Sequence, residues 1–130
     1  MADALRYLVS AMLTVVAVIH LLPLSGVLGS KQLSTLYGLP FSDPSLVILM
    51  RHRAVLFGLL GAFLLVAAFR PAWQPAAFVT GFVSVVSFLW LCWSAGDYSS
   101  QVARVFAADV VALVCLVIGS FAYAATNGNA

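Results

Sequence analysis

Apolar residues fall into four long runs separated by short polar breaks. The runs cover residues 5–29, 44–69, 74–95 and 101–125. Each run can cross a hydrocarbon core about 30 Å thick, which needs roughly 20 residues of helix. Residues 54–69 are apolar almost throughout, whereas the strands of a spanning barrel alternate apolar and polar residues. The pattern predicts an all-α fold: a four-helix transmembrane bundle that forms a single integral membrane domain over residues 1–130.

The breaks between the runs carry residues that are typical of helix ends. Asp43 precedes Pro44, and an Asp N-cap followed by proline at the first helical position is a common helix start. Two prolines, Pro71 and Pro75, prevent a continuous helix after Arg70 and predict a tight hairpin there. Residues 95–100 predict a second short turn.

The connection between the first two runs is longer, at residues 30–43. Its Leu33, Leu36 and Tyr37 predict a short interfacial helix, which Gly38 ends. An even number of spans places both termini on one side of the membrane, and we expect that side to be the cytoplasm. Residues 5–29 are interpreted as a retained span rather than a cleaved signal peptide, because no convincing cleavage site follows them.

The composition excludes an ordinary water-soluble domain. Hydrophobic residues make up 64% of the chain and charged residues 8%, with no Glu, whereas a water-facing surface needs about a quarter of its residues charged. The net charge of +2 comes from scattered residues, so nucleic acid is not an expected partner. Cys92 and Cys115 lack the spacing of a metal site, and no metal is predicted.

Small residues at spacings of three and four mark helix faces that pack closely in a membrane. Each run has such a stripe, and the four together predict a compact bundle. The stripes comprise Ser10, Thr14, Ala17 and His20; Arg51, Ala54, Gly58 and Ala62, with Gly61 beside them; Thr80, Ser84, Ser87 and Ser94; and Ala108, Ala112, Cys115 and Gly119, with Asp109 alongside.

Ionisable residues from three runs gather at one level, which we expect in the outer half of the bilayer. They are His20, Arg51, His52, Arg53, Arg104 and Asp109. A charge at mid-membrane costs roughly 2.5–3.5 kcal/mol, so such groups usually face the bundle and pair. Arg51 lies on the small-residue stripe, which predicts an ion pair with Asp109. Arg53 lies about 200° further round the helix and is expected to extend to the lipid head groups.

This pair supports two interpretations. The Arg51–Asp109 ion pair either holds two helices in register or forms part of a ligand site with His20 and His52. His20 is either a satisfied interior side chain, donating to the turn that Pro23 opens, or a group that titrates or contacts a ligand. Two histidines on different helices could in principle ligate haem, but no further haem signature accompanies them, so no cofactor is predicted.

The sequence contains no recognisable catalytic motif. A Walker loop, GxGxxG, HExxH and a Gly-x-Ser-x-Gly turn are all absent. General acid–base chemistry would fall on His20, His52 or Asp109. We therefore predict no catalytic residues and favour a non-enzymatic role.

Five segments carry a family resemblance. They are residues 20–23, 36–38, 43–44, 49–58 and 108–112, with the sequences HLLP, LYG, DP, LMRHRAVLFG and ADVVA. The chain from about Leu8 to Tyr123 resembles small bacterial four-helix membrane proteins that are DoxX-like in layout. The resemblance implies a bacterial inner membrane, and DoxX relatives imply a link to quinone or thiol redox chemistry. Some members carry the label phosphopantetheine adenylyltransferase, whose His-x-Gly-His motif is absent here.

These observations predict a multi-pass inner-membrane protein with a polar pocket for a small amphipathic ligand. The ligand would be quinone-like or an anionic, lipid-like molecule, with membrane lipid around the bundle. Arg51 would fix its head, Asp109 would hold Arg51, and His20 would supply a second hydrogen bond. The alternatives are an accessory subunit bound to a membrane protein partner or to further copies of itself, and a small proton-coupled transporter using His20 and Asp109.

Overall fold

Five α-helices account for most of the computed structural model, which describes residues 1–128. They are α1 (Ala2–Leu21), α2 (Ser30–Tyr37), α3 (Pro44–Ala68), α4 (Gln74–Ala95) and α5 (Ser100–Asn127). A 3₁₀ segment, Leu22–Leu28, extends α1, and a shorter one, Pro71–Trp73, precedes α4. Four spans, namely extended α1, α3, α4 with its 3₁₀ turn, and α5, are long and apolar enough to cross a membrane. The prediction of an all-α four-helix bundle is confirmed.

Local chemistry explains the helix boundaries. The Asp43 carboxylate accepts a hydrogen bond from the Ser45 amide at 2.8 Å, and Pro44 occupies the first position of α3 as predicted. Gly38 ends α2 with a φ of 66°, a left-handed conformation that favours glycine. The first and last spans are longer than predicted, because their helices continue into polar turns at the termini.

The four long helices are arranged as a ring. α1 packs against α3 and α5, and α4 packs against α5 and, less extensively, against α3. α3 and α5 therefore lie diagonally across the bundle. The start of α1 and the end of α5 lie at one end of the bundle, where Arg6, Pro71 and Thr126 line the same surface cavity. The 3₁₀ extension of α1 and helix α2 lie at the opposite end.

Close packing of α1 on α3 depends on glycine. A Cβ atom at Gly61 would lie 2.7 Å from Leu21 Cγ and 3.2 Å from the Ala17 carbonyl oxygen. The small-residue stripe of α3 therefore faces α1; Gly61, predicted beside the stripe, is buried, whereas Ala62, predicted on it, is exposed. The stripe predicted for the last span is confirmed at its centre, where Ala112, Cys115 and Gly119 are buried.

The small-residue stripe predicted for α4 was wrong. Thr80, Ser87 and Ser94 are exposed, and the buried face instead carries Gln74, Ala77, Phe78, Gly81, Val85 and Cys92. Thr80 Oγ1 donates to the Ala76 carbonyl at 2.9 Å, and Ser87 Oγ donates to the Ser84 carbonyl at 3.0 Å. Because such hydroxyl groups are satisfied within their own helix, they can face outward without an interhelical partner.

Helix α2 closes one end of the bundle. Leu33 and Tyr37 are buried in a small apolar cluster with Phe41. Val47 of α3 and Val102 of α5 pack against this cluster. The predicted short helix is thus confirmed, and it belongs to the packed structure; its place at a membrane interface stays a prediction.

Candidate functional site

A cavity of about 300 Å³ lies among the four long helices at the end that α2 covers. Most of its wall is apolar, formed by Ile19, Leu22, Pro23, Leu36, Phe57, Phe88, Val105 and Ala108. The polar side chains in the lining are His20, Thr35, Tyr37, Arg53, Gln101, Arg104 and Asp109. The cavity thus combines a mostly apolar wall with a set of polar side chains, three of which, Arg53, Arg104 and Asp109, carry charge.

Helix geometry brings Arg53 and Asp109 to the same level. Both α3 and α5 begin at the α2 end of the bundle. Arg53 lies nine residues after Pro44, and Asp109 lies nine residues after Ser100. At about 1.5 Å per residue, each side chain starts roughly 14 Å along its helix. The two diagonal helices therefore present opposite charges to the cavity between them.

Two aromatic rings hold the Arg53 guanidinium. Its Nη1 donates to the Tyr37 hydroxyl at 2.7 Å. Its central carbon lies 4.4 Å from the Phe57 ring centroid and 5.5 Å from that of Tyr37, within the range of cation–π attraction. The sequence-based expectation that Arg53 extends to lipid head groups was wrong, because these rings hold it against the cavity.

Asp109 is half-buried in the same lining. Arg53 is the cation that acts electrostatically on its carboxylate. Arg104 lies five residues earlier on α5, at the exposed edge of the cavity. The predicted level of ionisable groups is therefore present, but Arg53 and Arg104 supply the positive charge in the cavity.

The structure gives Arg51 a different partner from the predicted Asp109. Arg51 is exposed, and its Nε donates to the Val27 carbonyl at 2.8 Å. The small-residue stripe does point Arg51 towards a neighbouring element, but that neighbour is the 3₁₀ extension of α1. Because α3 and α5 are diagonal, the stripe cannot also face Asp109. His52 is exposed and, like Arg51, lies outside the cavity lining.

His20 is a satisfied interior side chain. It is 2% exposed. Its Nδ1–H donates to the Val16 carbonyl at 2.8 Å. This acceptor lies four residues earlier on α1, before the turn that Pro23 opens. Its Nε2 pairs with Ser84 Oγ at 2.9 Å. Both nitrogens are thus engaged, so His20 presents its ring to the cavity, and the structure does not bring it together with His52.

Four residues of the cavity lining were not predicted as site residues, namely Thr35, Tyr37, Phe57 and Gln101. Phe57 had a detectable signal, because it follows Arg53 by four residues and therefore shares its helix face. Thr35 and Tyr37 had none, since they reach the cavity only through the docking of α2 on the rest of the bundle, and Gln101 had none because nothing in its local sequence marks it. Besides the apolar cluster of α2, Ser99 contributes to this docking, because its Oγ donates to the Tyr37 carbonyl at 2.5 Å.

Four helices of spanning length and apolar character indicate a membrane protein. Comparison of the chain with protein-family models, with curated proteins and with solved structures found no match. The function is accordingly argued from the residues of the cavity, and the DoxX-like resemblance stays a prediction.

Proposed function

We propose that the protein binds a small amphipathic molecule in the cavity at the α2 end of the bundle. The observation that supports this proposal is a guanidinium group, that of Arg53, held by aromatic rings in a cavity whose wall is mostly apolar. Apolar cavities with a few converging polar groups are the usual form of small-molecule sites. A volume of about 300 Å³ is at the lower end of their range and suits a head group or one ring.

Arg53 is the residue proposed to fix the head of the ligand. A guanidinium group has five N–H donors, and the bond to Tyr37 uses one of them. The remaining donors suit a quinone carbonyl or an anionic head. Asp109 balances part of the charge and can accept a hydrogen bond from a ligand hydroxyl. In this proposal Arg53 takes the role first predicted for Arg51, and the ring of His20 forms part of the cavity wall.

The proposed setting is a bacterial inner membrane with both termini in the cytoplasm. The cavity then lies in the outer half of the bundle, since it is at the end opposite the termini. Its ligand would enter from the bilayer or from the extracytoplasmic side. The main alternative, an accessory subunit, assigns Arg53 and Asp109 a purely structural role and expects a bound protein instead of a bound small molecule.

The test compares Arg53→Ala with Arg51→Ala, a matched variant at the same end of α3 but outside the cavity. Each protein is purified in mild detergent and examined by native mass spectrometry, and the bound molecules are extracted and identified. We expect the wild type and Arg51→Ala to carry a small molecule that Arg53→Ala lacks. Circular dichroism checks that all three proteins remain helical.

A second measurement titrates decylubiquinone into each protein and follows thermal unfolding. A ligand at 100 times its Kd stabilises the folded state by about 2.7 kcal/mol, and this gain should be absent in Arg53→Ala. A wild-type chain that carries no small molecule, or equal occupancy in both variants, would contradict the proposal. A stoichiometric protein partner in place of a small molecule would favour the accessory-subunit alternative.

A further inference from the structure

We infer that the molecule bound in this cavity is a single-chain amphipathic anion, with its head at Arg53 and Arg104 and its hydrocarbon chain in an adjoining groove. This inference rests on the proposed function and names the class of ligand. Two independent features carry it: the charge balance of the cavity and the position of the groove.

The cavity lining carries excess positive charge. It contains Arg53 and Arg104 but only one carboxylate, that of Asp109. The sum is therefore at least +1, whatever the protonation states of His20 and Asp109. The excess charge is supplied by Arg104 at the exposed edge of the cavity, and a monoanionic head bound between Arg104 and Arg53 would neutralise it. A neutral quinone would leave it in place.

Arginine also favours an anionic head by its shape. Its planar donors match the oxygens of a carboxylate or phosphate in a two-pronged contact. Arg53 is fixed by Tyr37 and Phe57, whereas Arg104 lies at the exposed edge. Arg53 is therefore the fixed contact for the head, and Arg104 is the second contact, which distinguishes an anion from a neutral head.

A groove of about 390 Å³ adjoins the cavity. The two spaces share three lining residues, Tyr37, Arg53 and Phe88. The other residues of the groove are Leu39, Pro40, Phe41, Leu46, Met50 and Val102, all apolar. An amphiphile whose head contacts Arg53 therefore has an apolar path for its chain beside that contact. The continuity of the groove with the cavity identifies a hydrocarbon chain as its occupant.

The charge is tested with dodecanoate and 1-dodecanol, which have the same chain length but differ in head charge. Binding is measured with the full chain in phosphatidylcholine nanodiscs by calorimetric titration. We expect dodecanoate to bind about tenfold more tightly than dodecanol, as for a hydrogen bond to a charged group. Arg104→Gln should abolish this difference, whereas the control Arg51→Gln should keep it.

The groove is tested by filling it. Leu46→Trp places a large ring at the groove, and Leu49→Trp is the control, since Leu49 is also exposed on α3 but lies outside the groove lining. We expect Leu46→Trp to weaken dodecanoate binding about tenfold and to leave binding of the shorter hexanoate unchanged. The control should bind both as the wild type does.

The outcomes separate this inference from the proposed function. Equal affinity for dodecanoate and dodecanol would overturn the anion assignment and leave the proposed site intact. An unchanged affinity of Leu46→Trp for dodecanoate would overturn the groove assignment. Displacement of dodecanoate by added phosphatidylglycerol would overturn the single-chain assignment in favour of an anionic phospholipid. Failure of every probe to bind, together with a wild-type chain free of small molecules, would overturn both proposals.

Discussion

His20 and Ser84 form a polar contact between α1 and α4 inside the bundle. The imidazole is buried with a protein partner on each nitrogen. In its neutral form the ring donates from Nδ1 to Val16 and accepts at Nε2 from the Ser84 hydroxyl. A buried group that loses its partner retains its desolvation penalty, so Ser84 contributes to the stability of the fold.

We expect Ser84→Ala to lower the free energy of unfolding by about 1 kcal/mol, because Nε2 of His20 would lose its partner. Ser87→Ala is the control, since Ser87 is exposed and bonds only within its own helix. Reversible unfolding of both variants in mixed micelles measures the difference. An equal, near-zero change in both would show that the His20 contact does not stabilise the fold.

The sequence predicted which kinds of residue form the site better than which individual residues do. The common level of His20, Arg53 and Asp109 follows from helix lengths alone. The choice between Arg51 and Arg53 depends on which helix each face of α3 packs against. A small-residue stripe indicates that a face is packed but does not indicate which helix packs on it. The contribution of Tyr37 depends on the docking of α2, which no local pattern encodes.

At the scale of the elements, helix ends were predictable because single residues determine them. Asp43 with Pro44 begins α3, and Gly38 ends α2. The buried face of α4 was not predictable from its serines and threonines. In an apolar helix these hydroxyl groups bond to their own backbone, so their positions carry little information about the neighbouring helix.

The contact between α1 and α3 should be sensitive to the size of the residue at position 61. Gly61→Val would bring side-chain atoms into contact with Leu21 and with the Ala17 backbone. We expect a loss of about 1–3 kcal/mol in unfolding free energy, as for other overpacked cores. Ala62→Val, at the exposed neighbouring position, should change stability little. Equal effects in the two variants would contradict the close approach of α1 and α3.

At the scale of the whole molecule, the two hairpins lie at opposite ends of the bundle. The loop at Arg70 lies at the end of the termini, and the turn at Asp97 lies at the α2 end. If the termini face the cytoplasm, as proposed, a cysteine at position 97 should react with a membrane-impermeant maleimide in intact cells that express the protein. A cysteine at position 70 should react only after permeabilisation.

The labelling uses the Asp97→Cys and Arg70→Cys variants in a background where the buried Cys92 and Cys115 are replaced by Ala. The reverse pattern would invert the proposed orientation and leave the fold unchanged. Labelling of both positions from the same side would contradict the arrangement of four spans.

The order of the helices along the chain also determines the order in which the residues of the cavity are made during synthesis. Chains emerge from the ribosome with the N-terminus first, so Arg53 on α3 is made well before Asp109 on α5. Phe57 follows Arg53 by four residues on the same helix, and its ring lies against the guanidinium group. Because this contact lies within α3, it can form as soon as that helix does, before the last helix brings the countercharge, whereas Tyr37 contributes only once α2 has docked.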